Sequence, residues 1–161
     1  MKVFFALLAV VLTIFVFSCK EELQIYRIGA LVPLSGAAEG YGRNVKNGMM
    51  LALDEINKTG GIKGKPMDII IEDDGSDDKQ AVRKTDQLIS SSHVPVIIGG
   101  VTSSVALAAE PECEKNKVVL LSPTASSPKL TGIGKYFFRI YPSDNLEGRS
   151  RWFQKRQEGS R

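Results

Sequence analysis

Short apolar runs alternate along the chain with longer segments in which apolar residues recur at helical spacing. Runs bounded by Gly, Pro or polar residues are typical of buried strands, and they lie at 26–33, 67–71, 94–98, 118–121 and 136–140. Between them, helices are predicted from Arg43 to the Gly60-Gly61 stop, from an Asp77 or Asp78 cap onward, and over 105–115. This alternation predicts right-handed βαβ units and therefore an α/β fold with a doubly wound parallel sheet.

The helical spacing also predicts which side chains face the sheet. The predicted inward positions are Val45, Met49, Ala52, Leu53 and Ile56 in the first helix, and Val82, Leu88 and Ile89 in the second. In the third, Ser103 or Ser104 is expected to cap the helix. The last segment, 149–161, has only two large apolar residues and is predicted to be a divergent basic tail without a core face.

Residues 1–18 have the pattern of a lipoprotein signal peptide. Lys2 is followed by an apolar run over 3–17 that only Thr13 interrupts. The run is shorter than the roughly 20 residues that a membrane span needs, and it ends at Ser18-Cys19, which resembles a lipobox. Lipidation of Cys19 and export are therefore predicted, with 19–25 as a linker; an uncleaved anchor and a non-lipidated signal are the alternatives.

The charge balance gives no indication of a nucleic-acid partner. The chain has a net charge of +3, but much of the basic excess lies in 149–161. Between Cys19 and Gly148 there are 15 basic and 17 acidic residues, and no recognition motif accompanies them. Cysteine supplies no internal disulfide either, because Cys113 has no partner once Cys19 is acylated. Cys113 is predicted to be a buried, apolar residue rather than a nucleophile.

Three loops that follow predicted strands carry the candidate chemistry, since ligands of parallel α/β sheets bind beyond the carboxyl ends of the strands. The first loop, 33–42, is glycine-rich; the second, 99–104, and the third, 122–128, are rich in hydroxyls. A helix N-terminus that includes Thr102 and Ser103 suits a carboxylate, and the hydroxyls and carbonyls of 124–126 could bind a zwitterion. Helix capping and turn formation are the competing interpretation, and the residues alone leave both open.

Other kinds of site find less support. The glycine loops lack the lysine of a P-loop and the spacing of a dinucleotide-binding motif. The acidic segment 73–78 raises the question of calcium, but it lacks the final glutamate of a calcium loop and is better interpreted as a solvated loop with a helix cap. His93 is the one histidine, it is expected at the surface, and no serine or cysteine has a base beside it. We therefore expect a protein that is not an enzyme and has no cofactor.

The motifs taken together resemble type I periplasmic binding proteins of the branched-chain amino acid and amide uptake class. The resemblance lies in 28–36 (IGALVPLSG), 52–57 (ALDEIN), 60–64 (GGIKG), 73–74 and 78–81 (DD and DKQA), 98–104 (IGGVTSS), 121–128 (LSPTASSP) and 138–139 (FR). It spans about 26–148, which the resemblance implies is a partial N-terminal lobe of the ligand-binding domain.

In that family two lobes close on a small ligand. The resemblance implies a set of ligand-binding residues on the three loops: Tyr41, Val101, Thr102, Ser103, Thr124, Ala125 and Ser126. Tyr41 would lie over the ligand, and Ser103 would bind its α-carboxylate. Thr124, through its carbonyl, and Ser126 would hold the ammonium and the carboxylate. The resemblance thus favours ligand binding over capping at Ser103.

The resemblance further implies the substrate-binding component of an ABC transporter, with an amino acid or amide as ligand, a permease complex as partner and a lipid anchor in the membrane. Some members carry a disulfide at the positions of Ser76 and Thr102, and this chain has neither cysteine. A second lobe is not recognisable in the sequence, so truncation is expected. The alternatives are the outer, ligand-sensing domain of a membrane receptor and a non-functional gene fragment.

Overall fold

The computed structural model describes residues 24–146 and 148, and their fold is a parallel sheet flanked by helices. The elements are β1 Tyr26–Val32, α1 Glu39–Lys58, β2 Met67–Asp73, α2 Asp78–Ser90, β3 Val96–Gly99, α3 Ser103–Asn116, β4 Val119–Ser122, a 3₁₀ turn Pro128–Leu130 and β5 Phe137–Arg139. The predicted α/β class is confirmed. The predicted signal peptide, Cys19 and the tail 149–161 lie outside the described residues.

The strand order gives the sheet a topological switch point. All pairings are parallel, in the order β2-β1-β3-β4-β5. Right-handed crossovers place α1 on one face and α2 and α3 on the other, because the chain moves in one direction across the sheet from β1 to β2 and in the opposite direction from β2 to β3 and β4. The sheet is therefore doubly wound. Its switch point lies between β1 and β3, where ligands of such sheets bind.

The face covered by α2 and α3 contains a continuous core. Strand residues such as Leu31, Ile97 and Leu120 are fully buried there against Leu88 of α2 and Val105 of α3. These strand residues alternate with neighbours that point to the opposite face, as the two-residue period of a strand requires. We call this the closed face. Leu88 was predicted to face inward and does.

The opposite face, which we call the open face, is apolar but incompletely covered. Ile69, Ile98 and Leu121 are only half-buried, and Phe138 is 53% exposed. Helix α1 packs over β1 and β2 at one end of this face. Of its residues only Gly42 is buried.

Two inward positions were predicted wrongly. Ala52 on α1 is exposed, and Val82 on α2 is 41% exposed. On α2 the buried stripe is Ala81, Thr85 and Leu88. A small alanine and a threonine occupy this stripe because the helix lies close to the sheet. Val82 was predicted to face inward because it is apolar, but it is not part of the buried stripe.

Helix α1 begins at Glu39, four residues before the predicted start at Arg43. Gly40 and Gly42 suggested a loop, but Gly42 is required for packing: a Cβ there would lie 1.8 Å from the carbonyl oxygen of Pro33. The glycine allows the first turn of α1 to touch the end of β1. As a result Tyr41 lies on the helix instead of in the loop.

The helix ends confirm two predictions and correct one. Asp77 caps α2, accepting a hydrogen bond from Gln80 N–H at 2.7 Å, and α1 stops before Gly60 and Gly61, both with positive φ. The cap of α3, however, is Thr102, not Ser103 or Ser104. Thr102 has extended backbone angles, so the helix already includes Ser103 as its first residue.

Strand β3 begins at Val96, two residues later than predicted. His93 has a φ of 51°, in the left-handed region, and Pro95 has no N–H for the ladder. The chain therefore turns at this point before pairing starts. In the described part of the chain, no helix is both long and apolar enough to cross a membrane.

Candidate functional site

The second and third loops are joined at the carboxyl edge of the sheet. Their hydrogen bonds run from Ser122 Oγ to the Gly100 carbonyl at 2.8 Å, from Thr124 Oγ1 to the Val101 carbonyl at 2.6 Å, and from Ser127 N–H to Ser103 Oγ at 3.2 Å. The structure thus brings together the predicted residues of both loops. These hydroxyls link the loops to each other as well as being candidates for a ligand.

The first turn of α3 presents free donors at this edge. Thr102 accepts from Val105 N–H through its hydroxyl at 3.4 Å and from Ala106 N–H through its carbonyl at 3.0 Å. The N–H groups of Ser103 and Ser104 have no acceptor within the helix, as at any helix N-terminus. Together with the helix dipole they favour an anionic group.

The hydroxyl of Ser103 is set up to donate. Its oxygen already accepts from Ser127 N–H, and a hydroxyl whose oxygen accepts one bond still has its proton to give. Ser103 is half-buried. A carboxylate placed before the helix could therefore receive the Ser103 hydroxyl together with the two backbone N–H groups.

The other predicted residues of these loops could reach a ligand mainly through their backbones. Val101 is 5% exposed and Ala125 1% exposed, and the Ala125 side chain packs with Ala106 in a small core cluster. The Thr124 hydroxyl already donates to Val101, which leaves the Thr124 carbonyl for a cationic group. Ser126 is half-buried, and its carbonyl accepts from Asp144 N–H at 3.0 Å.

Tyr41 follows β1, on a different connection from these two loops. It is 72% exposed on the first turns of α1, and in the described structure no hydrogen bond joins it to the second or third loop. Its position after β1 still places it at the carboxyl edge.

The first loop is held by residues that the sequence did not suggest for this role. Asp73, at the end of β2, accepts from Leu34 N–H at 2.7 Å, from the Ser35 hydroxyl at 2.8 Å and from Gly75 N–H at 2.8 Å. Ser76 Oγ accepts from Ala38 N–H at 2.9 Å. Burial acts to raise the pKa of Asp73, but these hydrogen bonds outweigh it, so that the pKa is lowered overall.

Asp74 contradicts the interpretation of 73–78 as a solvated loop. Its side chain is fully buried; one oxygen accepts from Ser76 N–H at 2.8 Å, and the other has no partner among the described residues. Burial raises its pKa to about 6, opposed by the Ser76 hydrogen bond and assisted by the charge of Asp73. Within residues 24–146 and 148, no group of three or more acidic, histidine or cysteine side chains could hold a metal ion.

Cys113 and His93 lie where they were predicted. Cys113 is 1% exposed inside the closed-face core, and burial, with Glu110 and Glu112 nearby, raises the pKa of its thiol to about 12. Such a thiol stays protonated and is a poor nucleophile. His93 is exposed.

A sequence profile described as periplasmic binding protein matches residues 25–160. The chain belongs to this family. The family resemblance noted from the loop motifs is thereby confirmed.

Similar proteins carry names that refer to branched-chain amino acids. The chain is 38% identical over 107 residues to the Leu/Ile/Val-binding protein BraC3 of Rhizobium johnstonii, covering 66% of this chain and 29% of that protein. It is 32% identical over 123 residues to the leucine-, isoleucine-, valine-, threonine- and alanine-binding protein of Pseudomonas aeruginosa, covering 76% and 33%.

Among solved structures, the substrate-binding protein LivJ of the branched-chain amino acid transporter of Streptococcus pneumoniae, in complex with isoleucine, is similar with a TM-score of 0.73 and 34% identity. The match covers 75% of this chain and 35% of that one. The chain thus spans about a third of the length of these relatives, which agrees with the predicted partial N-terminal lobe.

Proposed function

We propose that this chain supplies the first-lobe part of the ligand site in the substrate-binding component of an ABC transporter. The ligand would be an amino acid or an amide, delivered to a permease complex on the outer side of the cytoplasmic membrane. Names of relatives that bind leucine, isoleucine and valine support this class. On this proposal the chain performs no catalysis and needs no cofactor.

The observation that carries the proposal is the set of donors at the N-terminus of α3. Two backbone N–H groups lack helical acceptors, and the Ser103 hydroxyl has its oxygen occupied by Ser127 N–H. These groups can donate together to one carboxylate. The Thr124 carbonyl and Ser126 on the adjoining loop are then available for the ammonium group of the same ligand, and the exposed ring of Tyr41 for its apolar surface.

A titration monitored by amide NMR tests this site. We expect saturable shifts at Ser103 and Ser104 with leucine, isoleucine or valine, or with urea or short amides, at a Kd on the order of 1 mM because one lobe makes only part of the contacts. Ser103→Ala should raise the Kd about tenfold, because it removes one of the three donors to the carboxylate and leaves the two backbone N–H groups. Ser104→Ala, which alters an exposed hydroxyl of the same turn, is the control and should leave the Kd unchanged. Absence of saturable shifts with every ligand would refute the proposal.

We also propose that Cys19 is lipidated after cleavage of residues 1–18. The support is the sequence pattern described above, with a short apolar run that ends at Ser18-Cys19. Mass spectrometry of the membrane-extracted protein should find diacylglycerol on Cys19 as the mature N-terminus. An unmodified Cys19 thiol in that fraction would exclude the anchor.

A further inference from the structure

We propose that Arg139 is a positioning residue for the Ser103 hydroxyl, acting through Ser127. The inference rests on the proposed function, because it concerns how the same donors are oriented. It adds a residue on β5, two strands away from β3, to the determinants of ligand affinity.

The guanidinium of Arg139 bridges two points of the third loop and the turn that follows it. Nη1 donates to the Ser127 carbonyl at 2.9 Å, and Nη2 donates to Thr131 Oγ1 at 2.7 Å. A guanidinium is planar and its donors have a fixed spacing. The two bonds therefore fix Ser127 relative to Thr131 and to strand β5.

Ser127 passes this constraint on to the candidate site. Its N–H donates to Ser103 Oγ at 3.2 Å, so the orientation of Ser127 decides whether the Ser103 oxygen is occupied. While it is occupied, the hydroxyl proton of Ser103 is directed elsewhere, toward the position proposed for the carboxylate. If Ser127 moves, Ser103 loses its donor and its proton can turn to other acceptors.

The Ser127 carbonyl does not depend on Arg139 alone for a donor. The Ser127 carbonyl also accepts from Leu130 N–H at 3.1 Å, so that it still has a donor when the guanidinium is removed. Among the described residues, Arg139 forms no ion pair with a carboxylate. Arg139 thus binds two neutral acceptors, one of them on the residue that donates to Ser103, and a positional role accounts for both bonds.

A double-mutant cycle between Arg139 and Ser103 tests the proposal in the 161-residue chain. Arg139→Met should weaken leucine binding about tenfold, the effect of losing one hydrogen bond to a charged group. In a Ser103→Ala background the same change should have less than about a threefold effect, because residues that act through one another are non-additive. Additive losses would overturn the proposal.

Two further variants show whether the effect of Arg139 on binding comes from the placement of its two donors or from its charge alone. Arg139→Lys keeps the charge but cannot bridge both acceptors, so it should bind about as weakly as Arg139→Met; wild-type affinity in Arg139→Lys would overturn the positional role. Thr131→Val removes only the second acceptor and should have a smaller effect. Thermal unfolding of each variant shows whether affinity has changed without loss of the fold.

Hydrogen exchange at the Ser127 amide provides a readout that needs no ligand. Arg139→Met should accelerate this exchange while leaving amides of the closed-face core unchanged. If wild type binds no ligand but the acceleration is seen, the proposed function fails and the positioning of Ser127 by Arg139 is supported. Unchanged exchange at Ser127 overturns the positioning whatever the binding result.

Discussion

The two faces of the sheet are built from equally apolar strands, yet only one of them forms a finished core. On the closed face, Leu31, Ile97 and Leu120 are completely buried beneath α2 and α3. On the open face, Ile98 and Leu121 belong to the same strands and remain half-buried. An apolar residue on a strand is therefore buried by the helix above it, and the strand pattern alone does not reveal whether that helix is present.

The largest expected effect comes from a matched pair of leucines on the helices of the two faces. Leu88→Ala on α2 removes a fully buried side chain and should lower the free energy of unfolding by about 2–5 kcal/mol. Leu53→Ala on α1 removes a half-buried one and should cost less than half as much. Urea denaturation measures both. Equal losses would mean that the open face contributes as much to stability as the closed one.

Asp74, which directly follows β2, shows the cost of burying a carboxyl group, because its side chain is fully buried. With its pKa raised from 3.8 to about 6, the folded state keeps a proton that the unfolded chain releases. This contribution to stability is complete below about pH 4 and is lost as the pH rises through 6, by about 3 kcal/mol at most.

Asp74→Asn should remove that loss and raise stability at pH 7 relative to wild type. Urea denaturation between pH 4 and 8 provides the measurement. Asp73 offers a contrast: its pKa is lowered, so its contribution is present above pH 4 and is lost only at lower pH. If the Asn variant shows the same decline from pH 4 to 7 as wild type, Asp74 is not the titrating group.

Two glycines of α1 test how closely this helix approaches the open face. A Cβ at Gly42 would lie 1.8 Å from the Pro33 carbonyl oxygen, whereas one at Gly48 would meet nothing within 4 Å. Gly42→Ala should therefore destabilise the protein by about 1–3 kcal/mol. Gly48→Ala should stabilise it by about 0.5–1 kcal/mol through helix propensity. Thermal unfolding distinguishes the two, and similar melting temperatures would contradict the contact.

The smallest effect is expected at the uncovered end of the open face. Phe138 is 53% exposed, so Phe138→Thr should change stability by less than about 1 kcal/mol, since exposed side chains gain little from burial. Phe137→Thr on the same strand is the comparison. The Phe137 side chain packs against the closed-face core, so this substitution should be clearly destabilising. Urea titration of both variants gives the difference.

Most of the fold was predictable because strand and helix signals in this chain are local. Five strands and three helices were predicted in the correct order, with bounds that differ from those observed by up to four residues, and Asp77 and the Gly60-Gly61 pair marked helix ends by their own chemistry. The start of α1 was missed because Gly42 has a packing role against Pro33, which only the folded contact reveals. The α3 cap was missed by one residue because Thr102, Ser103 and Ser104 have equivalent capping side chains, and the backbone angles decide among them.

The sequence predicted which loops form the candidate site but not how hydrogen bonds join them. The hydroxyls of the second and third loops pointed to Thr102, Ser103 and 124–126. The sequence did not show that Ser122 and Ser127 link these loops, nor that Asp73 holds the first one. Those bonds join residues 22 to 39 positions apart, and such pairs have no local signature.

The sequence by itself determined the class of fold, the order of its elements and the family, because apolar periodicity, glycine stops and loop motifs are properties of neighbouring residues. Only the tertiary structure decided which apolar face is buried, which hydroxyl caps α3 and which stays able to donate, and that Arg139 reaches Ser127. These outcomes depend on contacts between segments that the chain brings together only when the parallel sheet forms. Ser103 illustrates both: its residue type was visible in the sequence, and the hydrogen bond that its oxygen accepts from Ser127 N–H exists only in the fold.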